Sequence, residues 1–168
     1  MLRLHYQPIV RIADNTVVGA EALLRWNDVE HGNVSPKVFI ALAEESGLIH
    51  ELGEWVLRTA AAQCVAWRRA GQMLKVSINL SGRQFYRDDI AQRISDIVRG
   101  AGCEPSWIEL EVTETSLLHD VDAIRKALRA LRNDGFTVAI DDFGTGYSSL
   151  THLKHFPIDT LKIDISFI

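Results

Sequence analysis

The sequence is poor in cysteine, has no long apolar run and shows no excess of basic charge. Its two cysteines, Cys64 and Cys103, are well separated and form no C-x-x-C pair, so neither a thiolate zinc site nor a disulfide framework is indicated. Cys64 falls on the apolar stripe of an expected helix and reads as core. No segment reaches the roughly 18 apolar residues of a membrane span, and the N-terminus lacks a signal-peptide layout. The expected location is therefore the reducing cytoplasm. A net charge of −4 supplies no general basic field, which argues against binding nucleic-acid polymer. A site for a small anion would need a local positive element, such as bound metal. The six histidines are scattered and suggest no cluster of ligands.

What is present is the balance of an ordinary globular domain, 47% hydrophobic and 24% charged over 168 residues. No linker, repeat or low-complexity stretch divides residues 1–168. A strand is expected from Leu4 to Ile12, a turn at Asp14 and Asn15, and a second strand from Thr16 to Trp26; so short a connection implies an antiparallel pair. Ser35-Pro36 suits a helix start and Gly47 its end. A longer helix should run from His50 to Ala70, with Leu52, Val56, Ala60, Cys64 and Trp67 on one stripe. Strands and helices then alternate. Strands are expected at Leu74–Leu80, Trp107–Thr113, Phe136–Asp141 and Leu161–Ile168. Helices should lie around Ile90–Ala101 and after Asp120, closed by Gly135. Such alternation implies parallel strands with helical crossovers. Six strands fall short of an eight-stranded barrel, which typically takes about 250 residues.

The expected strands are not apolar throughout, as strands buried on both faces would be. Residues two apart share a face. Glu21, Leu23 and Arg25 oppose Ala20, Ala22, Leu24 and Trp26; Ser77 and Asn79 oppose Val76, Ile78 and Leu80. Glu109, Glu111 and Thr113 oppose Ile108, Leu110 and Val112; Asp141 opposes Val138 and Ile140; Lys162 and Asp164 oppose Leu161, Ile163 and Ile165. The apolar faces should meet helices. The other faces bring Glu21, Asn79, Glu111, Asp141 and Lys162 into one interior near the C-terminal strand ends. Carboxylates crowded there are costly unless neutralised. A hard cation with oxygen ligands, Mg²⁺ or Mn²⁺, is the economical partner.

Six motifs in this order resemble the EAL domain family: Gln7-Pro8-Ile9-Val10, Glu21-Ala22-Leu23 with Leu24-Arg25-Trp26, Asn79-Leu80-Ser81, Glu111-Val112-Thr113-Glu114, Asp141-Asp142-Phe143-Gly144-Thr145-Gly146 and Leu161-Lys162-Ile163-Asp164. The resemblance implies a TIM-like (β/α) barrel with an antiparallel first strand, of which about six of eight strands are present. It implies metal-dependent hydrolysis of cyclic di-GMP to linear pGpG. By the same resemblance Glu21, Asn79, Glu111 and Asp141 bind the first metal, Asp141 bridges to a second, and Asp142 contributes there. Lys162 orients or deprotonates the attacking water, so that the catalytic set is Lys162, Glu21 and Asp142. Gln7, Leu23 and Arg25 contact the ligand, Arg25 at a phosphate. Glu114 holds the Asp142 loop, and Gly144 and Gly146 let that loop take its shape.

No stretch matches the family's later segments, which supply a glutamate to the second metal site and a glutamine near the ligand. The expectation is an EAL domain lacking its last βα units, with an incomplete second metal site and little or no activity. Unpaired edges at the first and last strands invite association, so a homodimer through those edges is expected. The alternatives are a non-catalytic cyclic di-GMP-binding module and a self-associating interaction module.

Overall fold

The computed structural model describes residues 1–118, 120–144 and 156–167. In chain order the elements are β1 (Leu2–Arg11), β2 (Thr16–Asp28), β3 (Gly32–Val34), α1 (Pro36–Ser46), α2 (Ile49–Arg69) and β4 (Lys75–Leu80). They continue as α3 (Ile90–Gly100), β5 (Ile108–Thr113), α4 (Val121–Asn133), β6 (Thr137–Phe143) and β7 (Thr160–Ile163). Strands β1-β2-β4-β5-β6-β7 form one sheet in that order, and β3 pairs with β2. The β1–β2 pair is antiparallel, and β2, β4, β5, β6 and β7 run parallel, with α1 and α2 crossing between β2 and β4, α3 between β4 and β5, and α4 between β5 and β6. This is the wall of a (β/α) barrel. Among the described residues β1 and β7 each have one neighbour, so the sheet is open.

The apolar faces of the central strands build the core. Val76, Ile78, Ile108, Leu110, Val112, Val138 and Ile140 are all but inaccessible. They belong to one cluster with Val56, Ala60 and Cys64 of α2, Ile94 and Val98 of α3, and Ile124, Leu128 and Leu131 of α4. These helical residues recur three or four apart, which is why one stripe of each helix is buried. Tyr6 of β1 reaches the same cluster and meets Trp67 edge-on at 4.9 Å. The expected elements are present, with boundaries that shift by a few residues at most of their ends.

Several details differ from the sequence expectation. Strand β3 is additional: three residues pair with the end of β2 before α1 begins. Ser35 occupies the N-cap position of α1, but its side chain makes no capping hydrogen bond; Gly47 closes the helix at φ 79, a geometry that favours glycine. Strand β7 stops at Ile163, where a 3-10 turn over Ile165–Phe167 follows; Ile168, Thr145 and Gly146 lie outside the described residues. The back of β7 is not buried against a helix among the described residues, since Leu161, Ile163 and Ile165 are 41%, 62% and 84% exposed. An edge strand has a covering layer only where a helix crosses beside it, and the alternation rule says nothing of that. Cys64 and Cys103, separate in sequence, are both buried in one core cluster, where Cys103 acts to lower the Cys64 thiol and burial acts against it.

Leu110, wholly buried at the centre of β5, reports on this core. Leu110→Ala should cost about 3 kcal/mol of stability, read as a lower urea midpoint at unchanged slope.

Candidate active site

Parallel pairing fixes which side chains meet. Glu21 of β2 is in register with Ser77 of β4, Asn79 of β4 with Glu111 of β5, and Thr113 of β5 with Asp141 of β6. The polar residues therefore climb from strand to strand and share the interior face. Between Ile140 and Phe143 the β6–β7 register shifts: Ile140 faces Leu161 and Phe143 faces Ile163, so Asp141 and Asp142 together oppose Lys162. Asp142 takes a left-handed backbone at φ 54. Such an irregularity re-aims side chains, and it sets two successive carboxylates opposite Lys162 despite strand alternation.

The Lys162 ammonium is the centre of the arrangement. Its Nζ donates to Glu111 Oε2 at 2.6 Å and to Glu21 Oε2 at 3.0 Å, and lies 3.3 Å from Asp141 Oδ1. Asn79 Nδ2 donates to Glu21 Oε1 at 2.9 Å. Glu111 is completely buried, and its Oε1 has no hydrogen-bond partner among the described residues. A buried carboxylate oxygen without a donor is unfavourable and marks a place for a cation. Oxygens of Glu21, Glu111 and Asp141 lie within 4.8 Å of one another and could hold a metal ion together. The donor set is all oxygen, which suits Mg²⁺ or Mn²⁺ better than a thiophilic ion.

The structure thus brings together Glu21, Asn79, Glu111, Asp141 and Lys162. Gln7 lies directly opposite Glu21 in the β1–β2 register, at the sheet edge. Leu23, Arg25, Asn79 and Asp142 line a cleft of about 610 Å³ between the strand ends and helices α1 and α2, within the size range of small-ligand sites. Glu114 stands behind the cluster: it is almost fully buried, and its Oε2 accepts the Gly144 N–H at 2.8 Å.

Two supports were not anticipated from the sequence. Ser81, just past Asn79, is the cap of a short 3-10 turn; its N–H donates to Gln84 Oε1 at 2.9 Å and its hydroxyl to Glu44. The Ser-x-x-Gln spacing of Ser81 and Gln84 is a legible signature of that reciprocal cap. Deeper in the interior, Glu109 accepts hydrogen bonds from Ser77 Oγ and Thr160 Oγ1, both at 3.1 Å. Glu109 shares the polar face of Glu111 but serves the sheet rather than the cluster.

Electrostatics follow from burial. Burial pulls the Lys162 ammonium down, but its bonds to Glu111 and Glu21 outweigh this and leave it above the usual lysine value. Burial pushes the Glu111 carboxyl from 4.5 up to about 7, against the Lys162 hydrogen bond. Burial, then the Asp141 and Asp164 charges, raise Asp142 as well. Metal-free, Glu111 keeps its proton where the unfolded chain has lost it. Its contribution to stability accordingly falls as pH rises from 4.5 to about 7. A cation must displace that proton, so Mg²⁺ or Mn²⁺ should bind more weakly at about pH 6 than at about pH 8 and release protons on binding. Calorimetric titration in buffers of different ionisation heat checks this; a pH-independent affinity contradicts it, and Glu111→Gln should reduce the dependence.

The sequence profile of the EAL domain matches residues 1–168. The cyclic di-GMP phosphodiesterase NbdA of Pseudomonas aeruginosa is 42% identical over 168 residues, covering 99% of this chain and 22% of that protein. The bifunctional diguanylate cyclase/cyclic di-GMP phosphodiesterase MucR of the same organism is 43% identical over 168 residues, covering 99% of this chain and 24% of that protein. The chain thus spans about a fifth to a quarter of the length of these curated relatives. A solved MucR phosphodiesterase in complex with c-di-GMP superposes with a TM-score of 0.93 at 42% identity, over 99% of this chain and 68% of that one. The chain belongs to the EAL domain family.

Proposed function

We propose that the domain opens a phosphodiester bond of cyclic di-GMP with water to give linear pGpG, using Mg²⁺ or Mn²⁺. The observation that carries the reading is the buried Glu111 Oε1, unpartnered among the described residues, facing the oxygens of Glu21 and Asp141 around one ammonium. In this reading Glu21, Asn79, Glu111 and Asp141 hold one ion, and Asp141 with Asp142 holds a second. When bound, such ions polarise the phosphoryl oxygens and make water more acidic.

Lys162 orients or deprotonates the attacking water. Its raised proton affinity favours the orienting role, with its N–H groups donating and the proton retained. The water oxygen bonds to phosphorus as the bond to the ribose 3′ oxygen breaks, and the proton given up by the water ends on that oxygen. Glu114, through the Gly144 N–H, holds the backbone beyond Asp142 in place. Leu23 packs near a guanine, Arg25 meets a phosphate, and Gln7 touches the ligand from β1. The relatives with cyclic di-GMP phosphodiesterase activity in their names support the substrate.

Incubation with cyclic di-GMP and Mn²⁺, followed by chromatography, should show pGpG, and Glu21→Ala should abolish it. Turnover surviving unchanged in that variant would remove the metal assignment. This reading gives the second ion only Asp141 and Asp142 as ligands, a sparse set, so we propose slow turnover by this 168-residue polypeptide. A rate at or above the enzyme median of about 10 s⁻¹ contradicts that. Saturable ligand binding without pGpG selects the binding-module reading instead.

The edges of β1 and β7, each paired on one side among the described residues, support self-association of two copies. Exposed Ile12 and Ile163 add apolar surface near these edges. Light scattering at high concentration should show a dimer; a monodisperse monomer counts against it.

A further inference from the structure

The cleft beside the carboxylate cluster has two electrostatic ends. Asn79, Thr113 and Asp142 line the end nearest the cluster; Arg25 of β2 and Lys37, in the first turn of α1 just after the Trp26–Val34 pairing, bring positive charge to the other. Neither cation forms an ion pair among the described residues. One Arg25 nitrogen, Nη1, donates to the Leu24 carbonyl at 2.8 Å, which leaves the rest of its fork available. Lys37 has no acidic residue beside it in the first turn of α1. A cation in that turn opposes the helix dipole, so Lys37 brings the helix no stability there. Its charge is felt across the cleft: burial and the neighbouring acids raise Asp142, while Lys162 and Lys37 act in the opposite direction.

We propose that Lys37, together with Arg25, neutralises the phosphodiester of the cyclic dinucleotide that does not lie over the carboxylate cluster. This rests on the phosphodiesterase reading and extends it to a residue outside the strand motifs. A cyclic dinucleotide carries two phosphodiester charges fixed apart by its ring. The reacting phosphate belongs at the cluster. The other meets a protein of net charge −4 and is repelled unless a cation waits for it. Arg25 is four residues beyond Glu21 on the same face of β2, about 13 Å along the strand. A ring lying along the cleft therefore has carboxylates and their cation under one phosphate and Arg25 with Lys37 beside the other. Arg25 supplies a planar fork and Lys37 a point charge from the facing helix, two complementary modes of phosphate recognition.

The test is titration of cyclic di-GMP into the 168-residue protein with Ca²⁺ as the hard cation, at several salt concentrations, pGpG being assayed in parallel. Lys37→Ala should weaken binding about tenfold and flatten its salt dependence. Lys37→Arg should keep most of the affinity. Lys126→Ala, an exposed cation on α4, should leave it unchanged. Wild-type affinity in Lys37→Ala, or an equal loss in Lys126→Ala, overturns the assignment while the phosphodiesterase reading stands. Absence of binding by the wild-type protein at millimolar ligand overturns both.

Discussion

Three carboxylates converge on one ammonium inside a curved sheet, and the rest of the domain is arranged around that charge. Lys162 touches Glu111, Glu21 and Asp141, which come from strands far apart in sequence. One positive charge cannot balance three negative ones in a place shielded from water. The protein responds in two visible ways. Glu111 gains proton affinity, and one of its oxygens goes without a hydrogen-bond partner among the described residues. Both suit a site that could take a further cation, at the C-terminal strand ends where barrel folds place their chemistry.

The surrounding fold holds this unfavourable cluster in place. Strands β4, β5 and β6 carry fully buried apolar residues on their outer faces, clamped by α2, α3 and α4. That packing fixes the strand registers, and the registers fix the carboxylates. At the cluster's upper rim the interactions are polar and local. Ser81 and Gln84 cap the turn after Asn79, and Glu114 secures the backbone at Gly144 after the left-handed Asp142. Rigid walls and a fastened rim keep oxygens close that would otherwise separate.

Much of this was legible in the sequence. Period-two alternation placed Glu21, Asn79, Glu111, Asp141 and Lys162 on one face, and the structure gathers them. Helical spacing identified the buried stripes of α2 and α4. Where the reading failed, the cause is specific. The exposed back of β7 depends on what crosses beside it, which alternation cannot register. Asp142 entered the site reading through the family motif and not through alternation, which would point it away from Asp141; the shifted register between β6 and β7 puts both opposite Lys162, and the pattern of hydrophobic residues carries no trace of it. Cys64 and Cys103 looked unrelated, because contact between a helix and a distant turn leaves no periodic signal. Lys37 was passed over because it belongs to no strand, and only the packing of α1 beside the cleft brings it to the lining.

By itself the sequence determined which residues belong to the interior and what chemistry they have: period-two and period-3.6 patterns report the face of each element, and side-chain type reports charge and ligand preference. The tertiary structure alone decided how those faces meet. Register, the shift beside Lys162 and the approach of α1 set distances of a few ångströms, and those distances separate an exposed acid from a carboxylate that shares a cation. Coulomb energy and desolvation depend on separation and burial, quantities that arise only when distant segments pack together.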